Sequence, residues 1–146
     1  MTIIGFNFSK ILAHHKKPAK GNVKVGTNVK LDAVEKANLS FEKDKAAIRT
    51  VFTYKVTYEP DIGGVEFQGE LLFLQEAKIV DSLLKEWEEK KALPKKFSTD
   101  LINAIMQKCI IQALIMSKDI GLPPPIPLPK LKPEEEGKQD EKKAKA

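Results

Sequence analysis

The residues able to do chemistry are few. His14 and His15 stand side by side in "HHKKPAK", Cys109 is alone, and Glu66 and Glu70 share "VEFQGELLFLQ". Adjacent side chains on extended chain point to opposite sides, and no other ligand type stands near the two histidines at metal spacing. No zinc site is expected from them, and no cofactor. A single cysteine permits no disulfide within one chain, and its apolar helical setting marks Cys109 as a small core residue. Glu66 and Glu70 alternate with Gln68 on one strand face, so the pattern is a solvated charged face before it is a paired-carboxylate site. The glycines of "GNVKVG" lack the spacing and the Lys-Ser/Thr of a phosphate loop, and no strand–glycine–helix unit suits a dinucleotide. Nothing here reads as an enzyme.

Composition narrows the rest. The chain has 146 residues, 42% of them hydrophobic and 31% charged, which suits one domain with a real core. No apolar run approaches the roughly 20 residues of a membrane span, and "MTIIGFNFSK" has no basic stretch before its apolar residues, as a signal peptide would. A cytoplasmic protein is expected. The net charge is +5, but Arg49 is the only arginine among 25 basic residues. Scattered lysine without the forked guanidinium is a solubility device more than a nucleic-acid footprint. Nucleic-acid binding is therefore the lesser alternative.

What must carry the function is the fold. Period-two alternation gives strands at about 2–13, 22–36, 47–59 and 64–76. The clearest is "AIRTVFTYKVTYE", with Ile48, Thr50, Phe52, Tyr54, Val56 and Tyr58 on one face. The turn chemistry of "EPDIGG" makes the third and fourth strands a hairpin, and a break in alternation at Ser9–Lys10 predicts a bulge. Pairing in sequence order is simplest, although the long first loop permits another. The period then becomes helical. Residues 77–91 carry Ile79, Val80, Leu83, Leu84 and Trp87 on one stripe. A longer helix follows over 99–118, with Ser98 or Thr99 as its cap and Gly121 as its stop. The fold class is α+β: a four-stranded antiparallel sheet, a short helix and a long helix, in one domain spanning 1–132. The remainder, 133–146, has no apolar residue larger than Ala and reads as a disordered charged tail.

The long helix is apolar on two sides. Ile102, Ile105, Met106, Cys109, Ala113 and Met116 form one stripe; Leu101, Ala104, Ile111 and Ile115 form another, with Leu114 between. One sheet covers one side. Leaving the second bare would forgo about 1.5–3 kcal/mol per large side chain, so Leu101, Ala104, Ile111, Leu114 and Ile115 are expected to meet a second copy. The alternative is that the first loop and the C-terminal arm cover them within one subunit. That arm, Gly121 to Lys132, holds five of the nine prolines within seven residues, alternating with Ile126 and Leu128.

The run Lys118-Asp119-Ile120-Gly121-Leu122-Pro123-Pro124-Pro125-Ile126-Pro127-Leu128-Pro129, after a sheet and two helices in this order, resembles the SecB family of export chaperones. The similarity is most specific over 109–129. It implies a homotetramer, a dimer of dimers joined by the long helices. It implies an ATP-independent holdase that keeps unfolded or nascent polypeptide competent for translocation. Carried onto this chain, the family's client grooves fall at Ile11, Leu12, Trp87, Leu93, Leu122, Ile126 and Leu128. Family members also serve a single toxin–antitoxin pair, so one dedicated partner is the alternative to a general clientele. SecB proteins are acidic and use that charge to dock the basic, zinc-carrying tail of the SecA motor. This chain is basic, which weighs against SecA, and its long helix opens with Phe97-Ser98-Thr99-Asp100 where the family has a Pro-aromatic-Ala-Arg-Glu run. The resemblance is to a diverged, archaeal-type member.

Overall fold

A computed structural model describes residues 2–38, 44–127 and 129. The expected charged tail, 133–146, lies outside them. Four antiparallel strands, β1 (Thr2–His15), β2 (Lys24–Lys36), β3 (Lys45–Glu59) and β4 (Gly63–Glu76), form one sheet, followed by helices α1 (Ala77–Lys90) and α2 (Lys95–Asp119). The architecture is the expected α+β one. The strand order is not the sequential one: it runs β1-β4-β3-β2, so β1 and β2 are opposite edges.

Glycines in β4 explain why β1 chooses that neighbour. A Cβ on Gly69 would lie 2.5 Å from the carbonyl oxygen of Asn7 and 2.9 Å from the Phe52 ring; one on Gly63 would lie 2.3 Å from the carbonyl oxygen of His14. Only a bare backbone admits β1 this closely. Residues 16–23 then carry the chain past the β3–β4 turn, where the amides of Lys16 and Lys17 donate to the Ile62 carbonyl, and on to the far edge.

The alternation of β3 and β4 builds the core. Phe52, Tyr54, Val56, Tyr58, Val65, Phe67, Leu71 and Phe73 all point to the helix side and are buried. Tyr54 stacks on its cross-strand partner Phe67, Phe6 on Phe52, and Phe8 tilts against Phe67. Register shifts mark bulges at Ile4 and Ser9, the second where the broken alternation placed it. Each bulge swaps the faces. Ile3, not Ile4, therefore stands opposite Phe73 on the helix side, and Ile11 joins Phe6 and Phe8 there, opposite Phe67.

α1 lays Val80, Leu83 and Trp87 on the sheet, while Ile79, expected on that stripe, is exposed. Lys91 ends the helix in the left-handed conformation, its N–H bonded to the Trp87 carbonyl. α2 starts a turn earlier than expected, with Pro94 at the cap position. The Thr99 hydroxyl, instead of capping, donates back to the Lys95 carbonyl at 2.8 Å. The far end is as expected: Gly121 takes φ +74°, and the Leu122 amide closes onto the Ser117 carbonyl at 2.8 Å.

Candidate functional site

The buried face of α2 is Leu101, Ile105, Cys109, Ala113 and Ser117, a ridge of every fourth residue. Leu101 is completely buried. Its assignment to an outward stripe is corrected: it stands four residues before Ile105 on the ridge that leans across the sheet, and so lies in the core. Ala104 and Leu114 are half-buried, whereas Ile111 and Ile115 are 63% and 43% exposed.

α2 is directed by contacts at three points. Phe97 packs on Phe73 near its start, the Lys108 ammonium lies 5.3 Å from the centre of the Phe6 ring midway, and Ser117 meets Tyr58 near its end. The helix thus travels alongside β1 in the same direction. Ala104, Ile111 and Ile115, four before, three after and seven after Lys108, share the side of the helix turned away from the buried ridge. On β1, Ile3 and Ile11 are on the same side of the sheet and 38% and 46% exposed. The exposed isoleucines are thus Ile111 and Ile115 on the outward side of the helix and Ile3 and Ile11 on the strand. The outer edge of β1 pairs with no other described strand.

The remaining nominated residues divide. Leu12 is 46% exposed, but opposite Glu66 on the other face of the sheet. Trp87, Leu93 and Leu122 belong to the chain's own core cluster, the first two because α1 and the inter-helix segment close over the sheet. They offer little surface to a client. Ile126 is half-buried, and Leu128 lies outside the described residues. Ile3 and Ile4, 38% and 39% exposed, were missed because the bulge at Ile4 leaves only a faint mark on the alternation.

The arm begins under restraint. The Tyr58 hydroxyl donates to the Pro123 carbonyl at 2.7 Å, so the Ser117 hydroxyl, 3.0 Å away, is left to donate to it. The His15 Nδ1–H donates to the Ile120 carbonyl at 2.8 Å. His14 instead lies over Gly64 on the opposite face, so the two imidazoles do not converge. Burial raises the Tyr58 phenol, and pushes the Cys109 thiol up to about 12, which leaves that sulfur protonated and unreactive. Glu70 accepts from Arg49 Nε and Glu66 lies 3.9 Å from Lys10 Nζ, so each carboxylate is tied to its own cation.

Comparison with known proteins adds one finding. No protein-family model and no curated protein matches the chain. Its structure is similar to that of a Mycobacterium tuberculosis SecB-like chaperone, Rv1957, solved in complex with a ChAD peptide from the Rv1956 HigA1 antitoxin. The two are 14% identical, with a TM-score of 0.48 over 90% of each chain. Among the described residues, no helix is long and apolar enough to cross a membrane.

Proposed function

We propose that this chain is an ATP-independent holdase of the SecB type, acting in the cytoplasm on unfolded or nascent polypeptides. The observation that carries the reading is the exposure of Ile3 and Ile11 along the open edge of β1, with Ile111 and Ile115 exposed on α2. A protein with a satisfied surface does not leave large apolar side chains exposed along an unpaired strand and on a neighbouring helix; such surfaces are kept for another chain. An extended client segment can hydrogen-bond an edge and place alternate side chains on an adjoining apolar wall, with no catalyst and no nucleotide. The proline arm, matched in order to the family's, is the second support. Copies of the chain meeting through Ile111 and Ile115 on α2 would leave Ile3 and Ile11 of β1 for the client.

The test is aggregation of an unfolding client, followed by light scattering with and without the purified protein and in the absence of nucleotide. Suppression is expected, and it should be lost when Ile11, Ile111 and Ile115 are replaced together by Asp. Failure with several unrelated clients would end the general holdase reading. A single protein co-purifying in fixed stoichiometry, together with no suppression of other clients, would favour a dedicated partner. Solution mass should lie near four times the 16.3 kDa of one chain.

A further inference from the structure

Charge is unevenly placed along this chain. All 20 acidic residues come after residue 31, whereas the first 31 hold Lys10, Lys16, Lys17, Lys20, Lys24 and Lys30. β1 and the loop that leaves it are therefore built without a carboxylate, and β1 is the strand whose outer edge is open. Its cations gather toward one end. Lys10 stands opposite Gln68 on the helix-free face and is half-exposed, and Lys16 and Lys17 follow just past His15. On the other face, the Lys108 ammonium of α2 lies 5.3 Å from the centre of the Phe6 ring. From Thr2 to Ser9 the strand carries no charge.

The neighbouring carboxylates do not cancel these cations. Glu66 reaches Lys10 at 3.9 Å, but it belongs to β4, one strand behind the open edge. Asp61, in the β3–β4 turn, meets Lys16 at 3.5 Å and Lys17 at 4.0 Å, so one carboxylate serves two ammonium groups. Among the described residues, Lys108 has no carboxylate within 4.0 Å, and Lys118 and Asp119 offset each other. Asp100 stands three residues past Phe97, whose ring packs on Phe73, the partner of Ile3. It therefore marks the opposite end of the edge. Along the second half of β1, the ammonium groups of Lys10, Lys16, Lys17 and Lys108 thus outnumber the carboxylates of Glu66 and Asp61. Ion pairs at the surface contribute little and are readily exchanged for others.

We infer that the open edge of β1 selects its clients by charge: it takes an extended apolar stretch with Asp or Glu at one end and rejects one with Lys or Arg there. The inference rests on the holdase reading and names the class of segment that the edge accepts. A strand laid beside β1 turns alternate side chains to the two faces of the sheet. An acid on either face then meets a cation, Lys10 on one and Lys108 on the other. Cross-strand neighbours of opposite charge support a pairing, and like charges oppose it. Ile3 and Ile11 take the apolar part, and the end that passes Lys10 toward Lys17 takes the acids. A second copy of β1 brings lysine and no acid, so it is the poorer occupant. A nucleic acid offers no backbone N–H to the carbonyls of the edge and no aliphatic side chain to the isoleucines.

The experiment is fluorescence anisotropy, with the full chain, of labelled peptides that share an alternating Val-Thr core and carry a pair of Glu, Ser or Lys residues at each end. The Glu peptide should bind about tenfold more tightly than the Lys peptide, with the Ser peptide between them. The difference should shrink as salt rises. With Glu at one terminus only, the gain should follow one terminus and vanish with the other, which also gives the direction of the bound strand. Lys10→Glu with Lys108→Glu should reverse the order of the Glu and Lys peptides. Lys30→Glu with Lys36→Glu, the same charge change on β2, should leave that order intact. All four positions are exposed, so the circular dichroism spectrum should not change. Equal binding of the three peptides, or the same reversal in both double variants, would overturn the selection and leave the holdase reading standing. No binding of any peptide, together with no client suppression, would end both. Peptide binding that falls as the protein is concentrated would make a second copy the occupant, and tighter binding of single-stranded DNA than of the Glu peptide would make it a nucleic acid.

Discussion

The two edges of the sheet are opposites. β2 presents Lys24, Lys30, Lys36 and Glu35 to solvent, and its exposed large apolar residue is Val25 alone. β1 presents Ile3, Ile4, Ile11 and Leu12, each 38–46% exposed. Charged, lysine-rich edges discourage another chain from adding a strand, and apolar ones invite it. The difference teaches that this sheet is closed on one side and open on the other. β4 is the reason the open side exists: its glycines seat a strand that gives Phe6 and Phe8 to the core and leaves its isoleucines outside.

The largest expected effect tests that seat. Gly69→Ala forces a Cβ against the Asn7 carbonyl oxygen and the Phe52 ring, and should destabilise the chain by about 3 kcal/mol or more in urea unfolding. The matching change at the closed edge, Gly26→Ala, should be neutral or stabilising by about 0.5–1 kcal/mol. Equal losses at the two sites would erase the contrast.

Next comes the end of β1, where the strand, the β3–β4 turn and the arm are knotted. Tyr58→Phe removes the donor to Pro123 and leaves Ser117 without its partner. A loss of about 1–3 kcal/mol is expected, with faster amide exchange at Leu122 as the local readout.

Alkaline titration probes the centre shared by both edges. Tyr54 and Cys109 are each pushed up to about 12, first by burial. The folded chain therefore holds their protons more tightly than the unfolded chain, so their contribution is full below about pH 9 and is lost as pH rises toward 12. Cys109→Ala should give a shallower decline over that window.

The smallest effect on stability belongs to the edges themselves. Ile11→Lys with Leu12→Lys, and separately Val25→Lys, should each stay within about 0.5 kcal/mol, as surface changes do. Only the β1 pair should reduce client suppression or the mass of the assembly.

Much of this was legible because it is local. The faces of β3 and β4, the bulge at Ser9, the turn at Pro60–Gly64 and the stop at Gly121 follow from alternation, glycine and proline. The sites were less legible. Trp87, Leu93 and Leu122 have the apolar character of a binding surface and of a core alike, and only their neighbours distinguish the two. Leu101 and Ile111 stand only about 80° apart around the helix axis, a rotation that no count of apolar residues resolves. Ile3 became visible only once the bulge at Ile4 was placed.

The sequence by itself determined the elements, their order and the presence of more apolar surface on residues 101–116 than one sheet face can take. Those follow from the period of side chains along one stretch of backbone. Tertiary structure alone decided that β1 crosses to β4, because that choice depends on close approaches between residues some 60 positions apart. It also decided which isoleucines are left outside, since burial is a property of the partner and not of the residue.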